Sequence, residues 1–177
     1  TAWKDNLELD KLWEKIELGP KEDVITEMLR LINPDIVRVS VTNENAKVRL
    51  QNSDQPVPLK NFGDGVNWIL KIALALANAE NTLLLIDEVD SGLHYSVQEQ
   101  LWELIFKYAE QLNVQVFATT HSQDSIEAFT KVANKKEFDG QGQYIRLQRK
   151  RNSEEIVAVL YDEDDLEVAM DQNIETR

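Results

Sequence analysis

Apolar residues recur at helical spacing near the start of the chain, where Leu9, Leu12, Trp13 and Ile16 share one face of a helix expected over residues 7–16. Gly19 and Pro20 break that pattern. A second stripe, Val24, Ile25, Met28, Leu29 and Ile32, predicts a helix over 21–32 that Asn33 and Pro34 stop. Ile36 to Val41 and Ala46 to Leu50 then alternate or nearly so, with Asn43, Glu44 and Asn45 between them, and predict a hairpin. Gln51 to Pro58 is polar and holds two prolines, so it reads as an extended connection rather than a strand interior. From Asn61 the chain passes through Gly63, Asp64 and Gly65 into a helix expected to end near Ala79. Its residues Ile69, Leu70, Ile72, Ala73, Leu74, Leu76 and Ala77 are apolar around most of the surface, which predicts burial against a central sheet.

The next segment is an unbroken aliphatic run, Leu83 to Ile86, bounded by turn-formers. It predicts a strand buried on both faces. After a turn through Val89, Asp90, Ser91, Gly92 and Leu93, a helix reaching Leu112 carries Val97, Leu101, Leu104, Ile105, Tyr108 and Leu112 on its inner stripe. Gln98, Glu99, Glu103, Lys107 and Gln111 are expected to face water. Val114 to Thr119 is a further short strand, and strand, helix, strand makes a crossover unit with a parallel pair. The remainder predicts a helix over 124–133, a polar loop with Gly140 and Gly142, strands over 144–148 and 156–161, and a short acidic helix over 164–170. No internal repeat interrupts this order.

Composition narrows the class. The 177 residues suit one domain with a real core, 42% being hydrophobic and 29% charged. No apolar run approaches the roughly 20 residues a bilayer crossing needs. With Asp5, Glu8 and Asp10 the N-terminus does not read as a signal peptide, so a cytoplasmic location and no membrane partner are expected. The absence of cysteine excludes disulfides, thiolate nucleophiles and thiolate zinc, and two histidines are too few for an ordinary histidine-rich metal site. Oxygen-ligated magnesium stays open. A net charge of −13 argues against a broad nucleic-acid surface, because phosphate binding depends on lysine and arginine. The one basic cluster, Arg146, Arg149, Lys150 and Arg151, fits a polar turn between two strands as well as it fits a local RNA or DNA contact.

Candidate chemistry centres on Asp87 and Glu88 at the end of the aliphatic strand. The pair reads either as a solvated acidic turn or as a Walker B pattern. In the second reading strand alternation sends the two carboxylates opposite ways, one to a hydrated magnesium ion and the other to an attacking water. Gly63 and Gly65 at a helix start permit a tight turn, or let backbone N–H groups face an anion. The parallel pair brings both strand tips to one sheet edge, so His121, after Thr119 and Thr120, is expected near the two acids. Its imidazole reads as a neighbour of a helix cap or as a phosphate contact. Trp13 fits the core better than base stacking, and the acids from Asp162 to Asp165 suit a helix N-terminus better than a metal site. His94 follows the turn with no assigned role.

A glycine pair opening a helix, a strand ending in Asp87 and Glu88, and a strand ending at His121 together resemble ABC-type ATPases, closely over about residues 57–122. The details look most like the soluble branch of RecF, structural-maintenance-of-chromosomes and OLD-like proteins, grouped with AAA-family ATPases. The resemblance implies an α/β fold, the C-terminal part of a P-loop NTPase domain, with a mostly parallel sheet flanked by helices. Residues 1–56 would form a helical lobe and hairpin, and residues 57–177 the C-terminal part of the ATPase domain. It further implies that Asp87 organises magnesium, Glu88 polarises water, and His121 is the switch histidine at the γ-phosphate of ATP. Asp90 and Ser91 would belong to the D-loop, and Gly63, Asp64 and Gly65 would form the signature that meets nucleotide across a homodimer.

Two departures from the family pattern stand in the sequence. Gly63 and Asp64 occupy the places of the usual signature serine and first glycine, so a hydroxyl donor is missing and a carboxylate is added. No stretch fits glycine, four residues, glycine, lysine, then serine or threonine, the loop that cradles phosphates. The expectation is therefore a C-terminal portion, weak or inactive by itself, whose phosphate loop lies in a preceding segment. The alternatives are a non-catalytic module that binds a protein partner through its acidic surface, and the ATPase part of a DNA-repair or phage-defence complex. In that complex the nuclease would be a separate chain, since the stretch after His121 is short for a Toprim domain.

Overall fold

The computed structural model describes residues 8–150 and 154–161. The acidic helix expected over 164–170, the acids 162–165, Arg151 and Leu7 lie outside the described residues. The chain forms two compact units, the first running to Thr120 and the second beginning at His121.

In the first unit α1 (Leu9–Glu14) and α2 (Glu22–Leu29) precede an antiparallel sheet of β1 (Ile36–Thr42), β2 (Asn45–Leu50) and β3 (Val57–Pro58). The hairpin turn is two residues long, with Thr42 opposite Asn45 and both Asn43 and Glu44 at positive φ, the twist that matches paired strands. Glu44 then caps a helix 35 residues away in sequence. Its carboxylate accepts the Leu9 N–H at 2.9 Å, and the Glu44 N–H donates to Asp10 Oδ1 at 2.9 Å. The connection over 51–58 is extended as expected, and only its last two residues pair, antiparallel to β2.

The core is built around α3 (Asp64–Asn78), on which Ile69, Leu70, Ile72, Ala73, Leu74, Leu76 and Ala77 are all buried. It contacts α1, α2, a fourth helix, α4 (Gln98–Gln111), and β4 (Leu83–Ile86), so helices rather than a sheet supply much of its cover. β4 pairs in parallel with β5 (Gln115–Ala118) through α4, the predicted crossover. Leu84 and Ile86 are buried, but Leu83 is 51% and Leu85 40% exposed, and Phe117 beside Leu85 is 50% exposed. The expectation of a strand buried on both faces is therefore corrected: among the described residues one face of the parallel pair is covered and the other is open.

A second correction falls on α4. Gln98, assigned to the water-facing side, is buried, and so are Trp102 and Phe106, because the helix is covered over a wider arc than the apolar stripe alone marks. Lys107 keeps one foot in solvent and pairs with Glu27 of α2 at 2.8 Å, while the Tyr108 hydroxyl donates to the same carboxylate.

The second unit holds α5 (Gln123–Ala133), begun by Ser122 as its N-cap, and an antiparallel hairpin of β6 (Tyr144–Arg149) and β7 (Ile156–Tyr161). Arg146 lies on β6 within the expected strand, and Arg149, expected in the turn, is the last residue of β6. Lys150 beyond them pairs with Glu155 at 3.3 Å.

Candidate active site

The register Leu83↔Gln115 through Ile86↔Ala118 ends both parallel strands at one level, so the next residue on each, Asp87 and Thr119, emerge side by side. Thr119 then binds four consecutive residues of its neighbour. Its N–H donates to the Ile86 carbonyl at 2.9 Å, and its carbonyl accepts the Val89 N–H at 2.9 Å. Its hydroxyl donates to Asp87 Oδ1 at 2.7 Å and accepts the Glu88 N–H at 2.9 Å. A hydroxyl can fill both roles at once, which is the chemistry required at this position.

The strand stops at Ile86, so alternation is not what separates the two acids; Asp87 and Glu88 stand in a bend beyond it. Glu88 has φ +53°, a left-handed conformation that costs a non-glycine residue about 1 kcal/mol. A glutamate held there by a neighbouring hydroxyl is the kind of strain that collects at functional sites. Both carboxylates are exposed.

Beyond Glu88 the chain turns tightly, with the Ser91 N–H on the Glu88 carbonyl at 2.9 Å and the Leu93 N–H on the Asp90 carbonyl at 3.0 Å. Two elements pin this turn. The Thr120 hydroxyl donates to Asp90 Oδ1 at 2.5 Å, and from α3 the Trp68 indole N–H donates to the carbonyl of buried Val89 at 2.9 Å. The glycine loop meets the same turn. Gly63, with φ +93°, is the N-cap of α3, Asp64 is its exposed first residue, and a Cβ on Gly65 would stand 2.6 Å from the Gly92 carbonyl oxygen. Gly65 thus packs against the turn that carries Asp90 and Ser91 just beyond Asp87 and Glu88, while Gly63 and Asp64 precede it at the start of α3.

His121 follows Thr120 directly and opens the second unit, one residue before the α5 N-cap. His94 is itself a cap: its Nδ1 accepts the Ser96 N–H at 3.3 Å at the start of a short helical turn, and its ring lies 4.2 Å from that of Tyr95. The contributions of Thr119, Trp68 and Gly92 were missed in the sequence reading. A hydroxyl ending the strand that pairs with an acid-tipped strand was the available signal for the first.

The donor set fits magnesium. Among the described residues no three His, Asp or Glu side chains gather to hold an ion alone. Asp87 offers one exposed carboxylate, its other oxygen engaged by Thr119. One carboxylate completed by water and phosphate oxygens is the mode magnesium uses in phosphoryl transfer.

A parallel strand pair with acids at its tip, a glycine-opened helix against the turn behind them and a flanking helical layer make up an α/β head. Structures of SMC ATPase heads share this fold. One, from a study of ATP-driven dimerization and DNA-stimulated activation of SMC ATPases, aligns with TM-score 0.59 at 12% identity, over 96% of this chain and 99% of that one. A second, an Smc head bound to the C-terminal winged-helix domain of ScpA, aligns with TM-score 0.55 at 13% identity, over 85% of this chain and 44% of that one. The chain belongs to the family described as AAA domain, putative AbiEii toxin, Type IV TA system, whose model matches residues 16–127.

Among individual relatives, an ATP/GTP phosphatase of Helicobacter pylori is 33% identical over 121 residues, 66% of this chain and 33% of that protein. An uncharacterized protein of Methanocaldococcus jannaschii is 35% identical over 85 residues, 48% of this chain and 75% of that one. The chain thus spans about a third of the Helicobacter relative's length. Among the described residues no helix is long and apolar enough to cross a membrane.

Proposed function

We propose that this chain is the C-terminal portion of an ATP-hydrolysing domain that works as a homodimer closing over two nucleotides, with the phosphate loop supplied by sequence outside these 177 residues. The observation that carries the reading is the strained acid pair: Glu88 at φ +53°, next to Asp87, both fixed by Thr119. In this reading Asp87 holds a hydrated magnesium ion, which supplies neutralisation of phosphate charge when bound. Glu88 orients and polarises the attacking water, a positioning role of the kind phosphoryl transfer relies on. His121 contacts the terminal phosphate. Gly63, Asp64 and Gly65, with Asp90 and Ser91, face the nucleotide held by the second copy. Asp64 at the first turn of α3 favours the helix dipole but repels triphosphate, so the trans contact depends on its carboxylate turning aside.

The test is Glu88→Gln in the intact polypeptide. Turnover is expected to fall by about two orders of magnitude while ATP still binds, and the dimer formed with ATP should persist because opening follows hydrolysis. Full turnover in this variant would remove the role of Glu88. A second reading, a non-catalytic module docking a protein partner, is favoured by the absence of a phosphate-loop pattern in these residues. It predicts that the intact polypeptide does not respond to ATP at all.

A further inference from the structure

Thr119 carries none of the roles assigned above, yet it is the residue on which both acids rest. Its N–H, carbonyl and hydroxyl reach Ile86, Asp87, Glu88 and Val89 in turn, so each polar atom it has is committed to the acid-bearing strand or the bend beyond it. The Thr119 N–H to Ile86 bond continues the parallel ladder, and the Val89 N–H to Thr119 carbonyl bond skips Glu88 and belongs to the bend; being backbone, both would form with any residue here. The hydroxyl pair would not. One bond fixes the rotamer of Asp87, and the other satisfies the N–H that the left-handed turn at Glu88 would otherwise leave to water. The two bonds share an oxygen atom, so displacement of either acid disturbs the other.

Resting on the acid-pair reading of the previous section, we propose that Thr119 is a positioning residue for the hydrolytic step, setting through one hydroxyl both the carboxylate that meets the metal and the backbone that aims the base. Valine copies the shape of threonine without its hydrogen bonds, and serine keeps the hydroxyl without the methyl, so the two substitutions separate packing from positioning.

The experiment compares Thr119→Val, Thr119→Ser and Glu88→Gln in the intact polypeptide, measuring turnover, nucleotide affinity and exchange of the Glu88 amide. In Thr119→Val, kcat is expected to fall about a hundredfold, the scale of a small misplacement of reacting groups, with nucleotide affinity little changed. Exchange at the Glu88 amide should rise about tenfold, while the β4 amides keep their protection. Thr119→Ser should return most of both losses. Wild-type kcat in Thr119→Val, or equal impairment of the valine and serine variants, overturns the proposal. So does unchanged exchange at Glu88, a readout that does not depend on turnover. The two readings fail separately. No turnover in the unmodified protein, or full turnover in Glu88→Gln, removes the acid-pair reading and this one with it. An inactive Glu88→Gln beside a fully active Thr119→Val removes this one alone.

Discussion

A Cβ on Gly65 would stand 2.6 Å from the carbonyl oxygen of Gly92 and 3.1 Å from Leu93, and the first of these is backbone that cannot swing away. Gly65→Ala should therefore cost roughly 2 kcal/mol, within the usual range for overpacking a close contact. Thermal unfolding without nucleotide measures it. An unchanged midpoint would mean that Gly65 is glycine for the sake of a ligand and not of the turn. Gly63 is different, since nothing lies near it, and alanine there meets only the strain of φ +93°. The two glycines look alike in the sequence, where both read as helix-opening residues, and only the approach of Gly92 across 27 positions tells them apart. Asp87 and Glu88 were legible because an aliphatic run ending in two acids is a local pattern. The left-handed backbone of Glu88 and its support by Thr119 were not, because both follow from strand register, which no short stretch of sequence carries.

Among the elements, helix faces were legible wherever the apolar stripe was narrow and failed where burial exceeded it, as at Gln98, Trp102 and Phe106 on α4. The polar side of α4 shows why: it is held to α2 by Glu27, whose carboxylate receives Lys107 Nζ at 2.8 and 3.0 Å and the Tyr108 hydroxyl. Burial by itself would raise the Glu27 pKa, but the hydrogen bonds from Lys107 and Tyr108 and the charges of Lys107 and Arg30 together hold it below the ordinary 4.5. Burial, then the Glu27 carboxylate, push the Tyr108 hydroxyl up from its ordinary value. A carboxylate with a depressed folded pKa contributes stability above its unfolded pKa and loses it as pH falls through the folded value. The raised tyrosine contributes below its unfolded pKa and is lost as pH climbs toward the folded one. Tyr108→Phe should lower stability by about 1 kcal/mol at neutral pH. It should also lose less than wild type as pH falls from neutral through the range, below the ordinary 4.5, in which Glu27 takes up its proton. Denaturant melts of both proteins across that range give the comparison, and parallel curves would show that the tyrosine does not hold Glu27.

At the scale of the molecule the open face of the parallel pair is the feature that most needs explaining. Leu83, Leu85 and Phe117 lie 40 to 51% exposed on one side of two strands whose other side is covered, and each of these strands pairs with one neighbour alone among the described residues. Parallel sheets are covered on both faces almost without exception, because their crossovers lay helices on each side. The chain also spans about a third of its Helicobacter relative, and no phosphate-loop pattern occurs within it. On the function proposed above one event would meet all three facts: a further segment, bringing a phosphate loop, would add strands to this sheet and lay a helix over Leu85 and Phe117. The intact polypeptide then gives a definite number. If Phe117 is buried there, Phe117→Ala should cost about 3 kcal/mol or more, the usual loss for an aromatic in a core. If it stays half in water, the cost should be under about 1 kcal/mol, since little apolar surface is lost from cover. Radical footprinting of Phe117 reads the same event without a substitution, slow labelling marking a covered ring. A small loss on mutation together with rapid labelling would leave the face open in the whole protein and count against a further segment that covers it.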